Sequence, residues 1–158
     1  MIEAMLAGDR HQHATFDGRY SRVSDARNVP KPIQQPRVPI MVGGNGPNVT
    51  WRLAARYADE LSVDGLSPDE VREVLPTIRA RCEEIDRDPD SLAVSVHAWW
   101  GTDGWLAAGE ARRELLRAYA DLGVSRVMGL LRSSADDDAA LEELAEDARA
   151  AGVDLAYD

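Results

Sequence analysis

A single cysteine, Cys82, leaves this 158-residue chain unable to close an internal disulfide. The thiol falls in a helical pattern between Ile78 and Ile85 with no Cys or His neighbour, which suits a structural thiol better than a metal ligand. Basic residues are scarce as well: 18 Lys and Arg stand against 28 Asp and Glu, for a net charge of −10 and an isoelectric point near 4.7. A phosphate backbone or an anionic membrane surface is repelled by that balance, so nucleic acid and membrane are not expected partners. Long apolar runs are missing too, since stretches such as Val38-Pro39-Ile40-Met41-Val42 fall far short of the ~20 residues of a spanning helix. The N-terminus, Met1-Ile2-Glu3-Ala4-Met5-Leu6, has no basic segment followed by a long apolar one, and the chain reads as cytoplasmic. What remains, 44% hydrophobic residues, supplies the core of one soluble domain.

The pattern along the chain predicts an α/β protein in two parts. Residues 1–37 form a helix end stopped by Gly8, then a polar stretch, then an extended excursion from Thr15 to Pro39. In that excursion Pro30, Pro32, Pro36 and Pro39 forbid both helix interior and central strand. Residues 38–158 alternate short apolar runs with amphipathic helices, the signature of βα units on a parallel sheet. The first strand is expected over 38–42 with a helix from Pro47 to Ala58, and the second over 60–63 with a helix from Ser67 to about Arg87. Ser67-Pro68-Asp69-Glu70 spells a capping box, and Pro76 predicts a kink or break inside that helix. The third strand spans 92–100 and leads to a helix whose apolar stripe is Ala108, Ala111, Leu115, Tyr119 and Leu122. The fourth spans 124–131; a last helix starts in Asp136-Asp137-Asp138, buries Leu141, Leu144, Ala145 and Ala148, and stops at Gly152. Four such units make half of a (β/α)8 barrel and leave two unpaired strand edges. Those edges call for self-association, a complementary half-barrel, or a fold-back of the N-terminal segment.

Gly43-Gly44-Asn45-Gly46-Pro47 has the most direct physical claim on chemistry. It joins a strand end to a helix N-terminus through a turn in which backbone N–H groups can approach an anion. The same glycines also suit a tight βα turn with no ligand, and Val49 occupies the place of a third Rossmann glycine. Ser62 and Asp64 follow the second strand, where pocket residues of such folds sit, although loop polarity explains them equally. His97 ends the third strand beside Trp99 and Trp100, placed either as a pocket acid, base or wall or as a hydrogen-bonded rim residue. Arg132-Ser133-Ser134 holds a phosphate position of many barrels, against which the following acidic cluster argues. His11 and His13 lack a third ligand at metal spacing and read as solvated; Glu142-Glu143 and Glu146-Asp147 read as solvated helix faces.

Phe16-Asp17-Gly18-Arg19-Tyr20, the run from Pro30 to Pro36, Pro39 to Gly46, and Leu53-Ala54-Ala55-Arg56-Tyr57-Ala58-Asp59-Glu60 together resemble the middle of the luciferase-like monooxygenase family, above all its F420-dependent oxidoreductases. Tyr119 to Val127 is similar to that family's last helix and strand. The resemblance implies strands five to eight of a (β/α)8 barrel and an F420- or FMN-dependent oxidoreductase acting on a small organic substrate. It also implies that Gly43, Gly44, Asn45, Gly46 and Pro47 contact the cofactor phosphate, F420 first and FMN second, with weak binding by this chain alone. In the family the first four strands cradle the reacting ring, so no catalytic residue carries over. The chain is expected to be a truncated or split member, inactive as an isolated half; the alternative is a non-catalytic, self-associating α/β module. No metal is expected.

Overall fold

The computed structural model describes residues 1–6, 11–98, 107–131, 134 and 138–153. It divides into two compact units, Met1–Pro39 and Ile40–Asp158. The first contains helix α1 (Ile2–Leu6) and an antiparallel hairpin of β1 (Ala14–Asp17) and β2 (Arg22–Ala26), with Phe16 opposite Val23 and Asp17 opposite Arg22. The hairpin departs from the extended excursion expected there. Gly18 donates its N–H to Ser21 O at 3.0 Å to close the turn, and a Cβ on Gly18 would lie 2.5 Å from the Phe16 ring, so a larger residue there displaces that ring. The proline-rich stretch after it forms neither helix nor strand. His13 immediately precedes β1, with Nδ1 2.5 Å from Asp25 Oδ1, and its Nε2 accepts from Arg27 Nε at 3.0 Å.

The second unit holds a parallel sheet in the order β3 (Met41–Gly43), β4 (Glu60–Asp64), β5 (Ala93–Ala98), β6 (Arg126–Gly129). Between and after these strands come α2 (Thr50–Tyr57), α3 (Pro68–Glu83), a 3₁₀ turn (Pro89–Ser91), α4 (Glu110–Asp121) and α5 (Ala139–Ala150). The sheet is not closed, as expected for part of a barrel. Register sets the chemistry of its two faces. Met41, Glu60 and Ala93 lie level; so do Gly43, Ser62, Ser95 and Arg126, and so do Asp64, His97 and Met128. Because successive side chains alternate, these residues share one face, and Val42, Leu61, Val63, Val94, Val96 and Val127 share the other. The helices cover the apolar face: Leu61, Val63 and Val96 are fully buried with Trp51, Ala54 and Ala55 of α2, Val71, Ile78 and Cys82 of α3, and Tyr119 of α4. Each large side chain buried there contributes about 1.5–3 kcal/mol. The other face is largely polar.

Helix α3 begins as its sequence dictates. Ser67 accepts from Glu70 N while Glu70 Oε2 accepts from Ser67 N, and these bonds to the backbone and hydroxyl of Ser67 hold the Glu70 carboxyl below its usual range. The break expected at Pro76 is absent. The helix runs through it to Glu83, with Val71, Ile78 and Cys82 packed on the core from both sides of the proline. Pro47 does not start α2; helix begins at Thr50, after a turn in which Trp51 N–H reaches back to Gly46 O at 3.0 Å. Ala108 precedes α4 and Ala111 is exposed, while Arg112, Leu116 and Tyr119 take the buried stripe. Likewise Leu141 is exposed, and Asp147, expected in water, is buried with Ala148. The reason is pairing: Asp147 accepts from Gly109 N–H (2.8 Å), Arg113 Nε (2.8 Å) and Arg112 (3.2 Å), and Arg112 is buried with it. Two guanidinium groups and a backbone donor thus converge on one carboxylate at the seam of α4 and α5. Trp99, Trp100, Arg132, Ser133, Asp136 and Asp137 lie outside the described residues.

Candidate functional site

Parallel strands deliver their C-terminal ends to one rim of the sheet, where ligand-binding loops of such folds gather. At that rim β3 runs into Gly44, whose φ of +124° belongs to glycine, then into Asn45 and Gly46. Four hydrogen bonds pin this turn. Gly44 N–H donates to Ser62 O (2.9 Å), Asn45 Nδ2 donates to Asp64 O (2.7 Å), Asn45 Oδ1 accepts from Asp64 N–H (2.8 Å), and Gly44 O accepts from Trp51 Nε1 (3.0 Å). Asn45 is therefore a clamp to the end of β4, a role its place in a glycine-rich turn did not disclose. A Cβ on Gly46 would stand 2.9 Å from Thr50 Oγ1, so a larger residue there displaces the first side chain of α2. Among the described residues, no acceptor meets the backbone N–H groups of Gly46, Asn48, Val49 and Thr50. Together with the positive end of α2, they are the donors the rim presents.

Beside the turn lies an open cleft of about 280 Å³ lined by Gly43, Gly44, Ser62, Asp64 and His97. Asp64 and His97 are register partners on adjacent strands, with Oδ1 and Nδ1 3.7 Å apart, beyond hydrogen-bond length but within reach of a charge pair. Both side chains meet solvent, at 33% for His97 and 52% for Asp64. The structure thus brings Gly43, Gly44, Ser62, Asp64 and His97 together and sets Asn45, Gly46 and Pro47 next to them in the chain. The His97–Asp64 pairing was visible only as two polar residues at strand ends. Ser134 instead closes a local turn, donating Oγ to Leu131 O at 2.7 Å. No group of three or more His, Cys, Asp or Glu suited to a metal occurs among the described residues. No helix among them is long and apolar enough to cross a membrane.

Comparison with known proteins places these features. A family model described as luciferase-like monooxygenase matches residues 1–156. Uncharacterized proteins of Mycobacterium tuberculosis (strain ATCC 25618 / H37Rv) and Mycobacterium bovis (strain ATCC BAA-935 / AF2122/97) are 31% identical over 147 residues, 90% of this chain and 46% of theirs. The chain therefore spans about half the length of the curated relatives it matches. Among solved structures, an F420-dependent secondary alcohol dehydrogenase in complex with an F420-acetone adduct aligns over 81% of this chain and 52% of its own, with a TM-score of 0.64 at 16% identity. The coenzyme F420-dependent tetrahydromethanopterin reductase of Methanopyrus kandleri aligns over 96% of this chain and 44% of its own, with a TM-score of 0.50 at 17% identity. At these identities the likeness is one of fold, a partial barrel of the same kind.

Proposed function

The chain belongs to the luciferase-like monooxygenase family, and from that premise we propose that it supplies the phosphate-gripping loop of a flavin or deazaflavin oxidoreductase. Gly43, Gly44, Asn45, Gly46 and Pro47 would hold the phosphate of F420, with FMN as second choice. The observation that carries this reading is the clamped glycine turn, which leaves the N–H groups of Gly46, Asn48, Val49 and Thr50 without an acceptor among the described residues at the start of a helix. Such donors suit an anionic oxygen. Asn45 acts by position, since its side-chain amide is engaged with Asp64. When bound, the cofactor supplies redox chemistry, either as hydride carrier or in oxygenation of a small organic substrate. The protein's own task is to seat the phosphate at the rim and to present Asp64 and His97 to the cleft beside it.

Binding by this chain alone is expected to be weak, because a phosphate loop contributes only a fraction of a cofactor's affinity. Titration of the purified chain with F420 and with FMN, followed by fluorescence, tests this. Dissociation constants above a micromolar are expected, rising at least tenfold in Gly46→Val with an unchanged circular dichroism spectrum. Equal binding by Gly46→Val would remove the loop from the cofactor site, and submicromolar binding by a monomer would contradict the weak binding expected of a phosphate loop alone. A second reading, a non-catalytic module whose glycine turn only shapes the rim, is favoured by the four hydrogen bonds that pin the turn to β4 and α2. Absence of any anion binding by the parent chain would select it.

A further inference from the structure

We propose that two copies of this chain close a single eight-stranded barrel, β6 of each pairing with β3 of the other. This inference is independent of the cofactor reading. Among the described residues, β3 and β6 each have one side that pairs with no other strand, which leaves both edges open to a further strand. A half-turn about an axis along the strands lays β6 of one copy beside β3 of its partner with strand direction preserved. Both edges are then satisfied at once, both helix layers lie outside, and both polar faces lie inside. An edge paired with its own equivalent would be antiparallel and would leave the other edge open.

Two further observations favour a second copy at these edges. Apolar side chains stand exposed on the elements that bound them: Met41 of β3 is 44% exposed and Leu53 of α2 47%, with Leu130 just past β6 at 39% and Leu141 of α5 at 47%. An apolar recess of about 170 Å³ lies alongside β6 between α4 and α5, lined by Leu116, Val127, Leu144 and Val153 among others. The closed ring would also set the two glycine turns on the same rim, so that each cleft gains the opposite wall it lacks in one copy.

Multi-angle light scattering and sedimentation of the intact chain over a wide concentration range give the stoichiometry. A species of twice the 17.3 kDa chain mass is expected, and salt should strengthen it because each copy carries a charge of −10. A monomer throughout would overturn the proposal and point to edges covered within one chain. Oligomers that keep growing with concentration would overturn it too, since an open stack does not close. To locate the contact, Met41→Cys is combined, in a Cys82→Ser background, with Arg126→Cys or with Met128→Cys. Oxidation should yield a disulfide between position 41 of one copy and 126 or 128 of the other, mapped by mass spectrometry. A dimer of the parent chain whose folded cysteine variants form no such cross-link would refute the barrel geometry, and should the variants fail to fold, the stoichiometry of the parent still decides.

Discussion

Replacing Asp147 by Asn removes one charge and almost no volume from the seam between α4 and α5. In the native chain the carboxylate is 2% exposed and is surrounded by the Gly109 amide, Arg113 and Arg112, the last itself 3% exposed. The Asn side chain keeps one acceptor, turns an amide donor against another donor, and takes the carboxylate away from the buried Arg112 guanidinium. Breaking a buried ion pair from one side costs about 3–5 kcal/mol, against the ~5–15 kcal/mol that keeps an ordinary domain folded. At ~2–4 °C per kcal/mol for a chain of this size, the melting midpoint should fall by roughly 6–20 °C. Circular dichroism melts and urea titrations at pH 7 measure it. A midpoint for Asp147→Asn within about 2 °C of the parent would refute the reasoning, as that small a change belongs to exposed pairs. The pH dependence has a definite sign. Burial pushes this carboxyl up, but the Gly109 amide, the Arg113 hydrogen bond and the charges of Arg113 and Arg112 outweigh burial and hold it below its usual range. With the folded value depressed, the contribution is present above the unfolded value of about 3.9 and is lost as pH falls toward the folded one. Parent and variant should therefore converge in stability below about pH 4.

Other outcomes follow from the same geometry. Asp64→Asn removes a carboxylate from the cleft beside the glycine turn, so binding of inorganic pyrophosphate should tighten about two- to fivefold at low salt and less at high salt; titration calorimetry reads it. Tyr119 donates its hydroxyl to Leu66 O at 2.6 Å, and desolvation by burial, with the Glu70 charge adding to it, pushes its phenol up to about 12. Ultraviolet titration should show it ionising after the other tyrosines. Its stabilising contribution, whole below the unfolded value near 10, should be lost as pH rises toward 12, and Tyr119→Phe should cost about 1 kcal/mol at neutral pH in urea titrations. Cys82 is fully buried and burial pushes its thiol up, so a thiol reagent should modify it only at the rate of global unfolding, which stopped-flow detection in urea can compare directly.

Local grammar was the most legible layer of this chain. Ser67, Pro68 and Glu70 announced both the start of α3 and its hydrogen bonds because every partner lies within four residues. Alternation of apolar runs and helices gave the parallel sheet for the same reason, as the period is written in neighbouring residues. The pairing of Arg112 with Asp147 was not legible. Its partners sit 35 residues apart, and each alone resembles an ordinary charge on a polar helix. Nor was the hairpin at Ala14–Ala26, since Arg22, Ser24 and Asp25 break the apolar alternation that marks a strand. At the site, the diglycine pointed to a sharp turn, but the engagement of Asn45 with Asp64 depends on register between two strands, which no spacing along the chain encodes.

The two-sided sheet has a consequence for how this scaffold tolerates change. A slip of one residue in β5 would drive Ser95 and His97 among the valines and leucines under the helices and expose Val94 and Val96 to the cleft, so alignment is fixed by solvation and does not need the loops to enforce it. Positions 64 and 97 therefore stand apart from the residues that hold the strands in line. A library that varies only those two side chains would sample new cleft chemistry on an unchanged frame, whereas the same diversity one position along either strand would be tested first for folding.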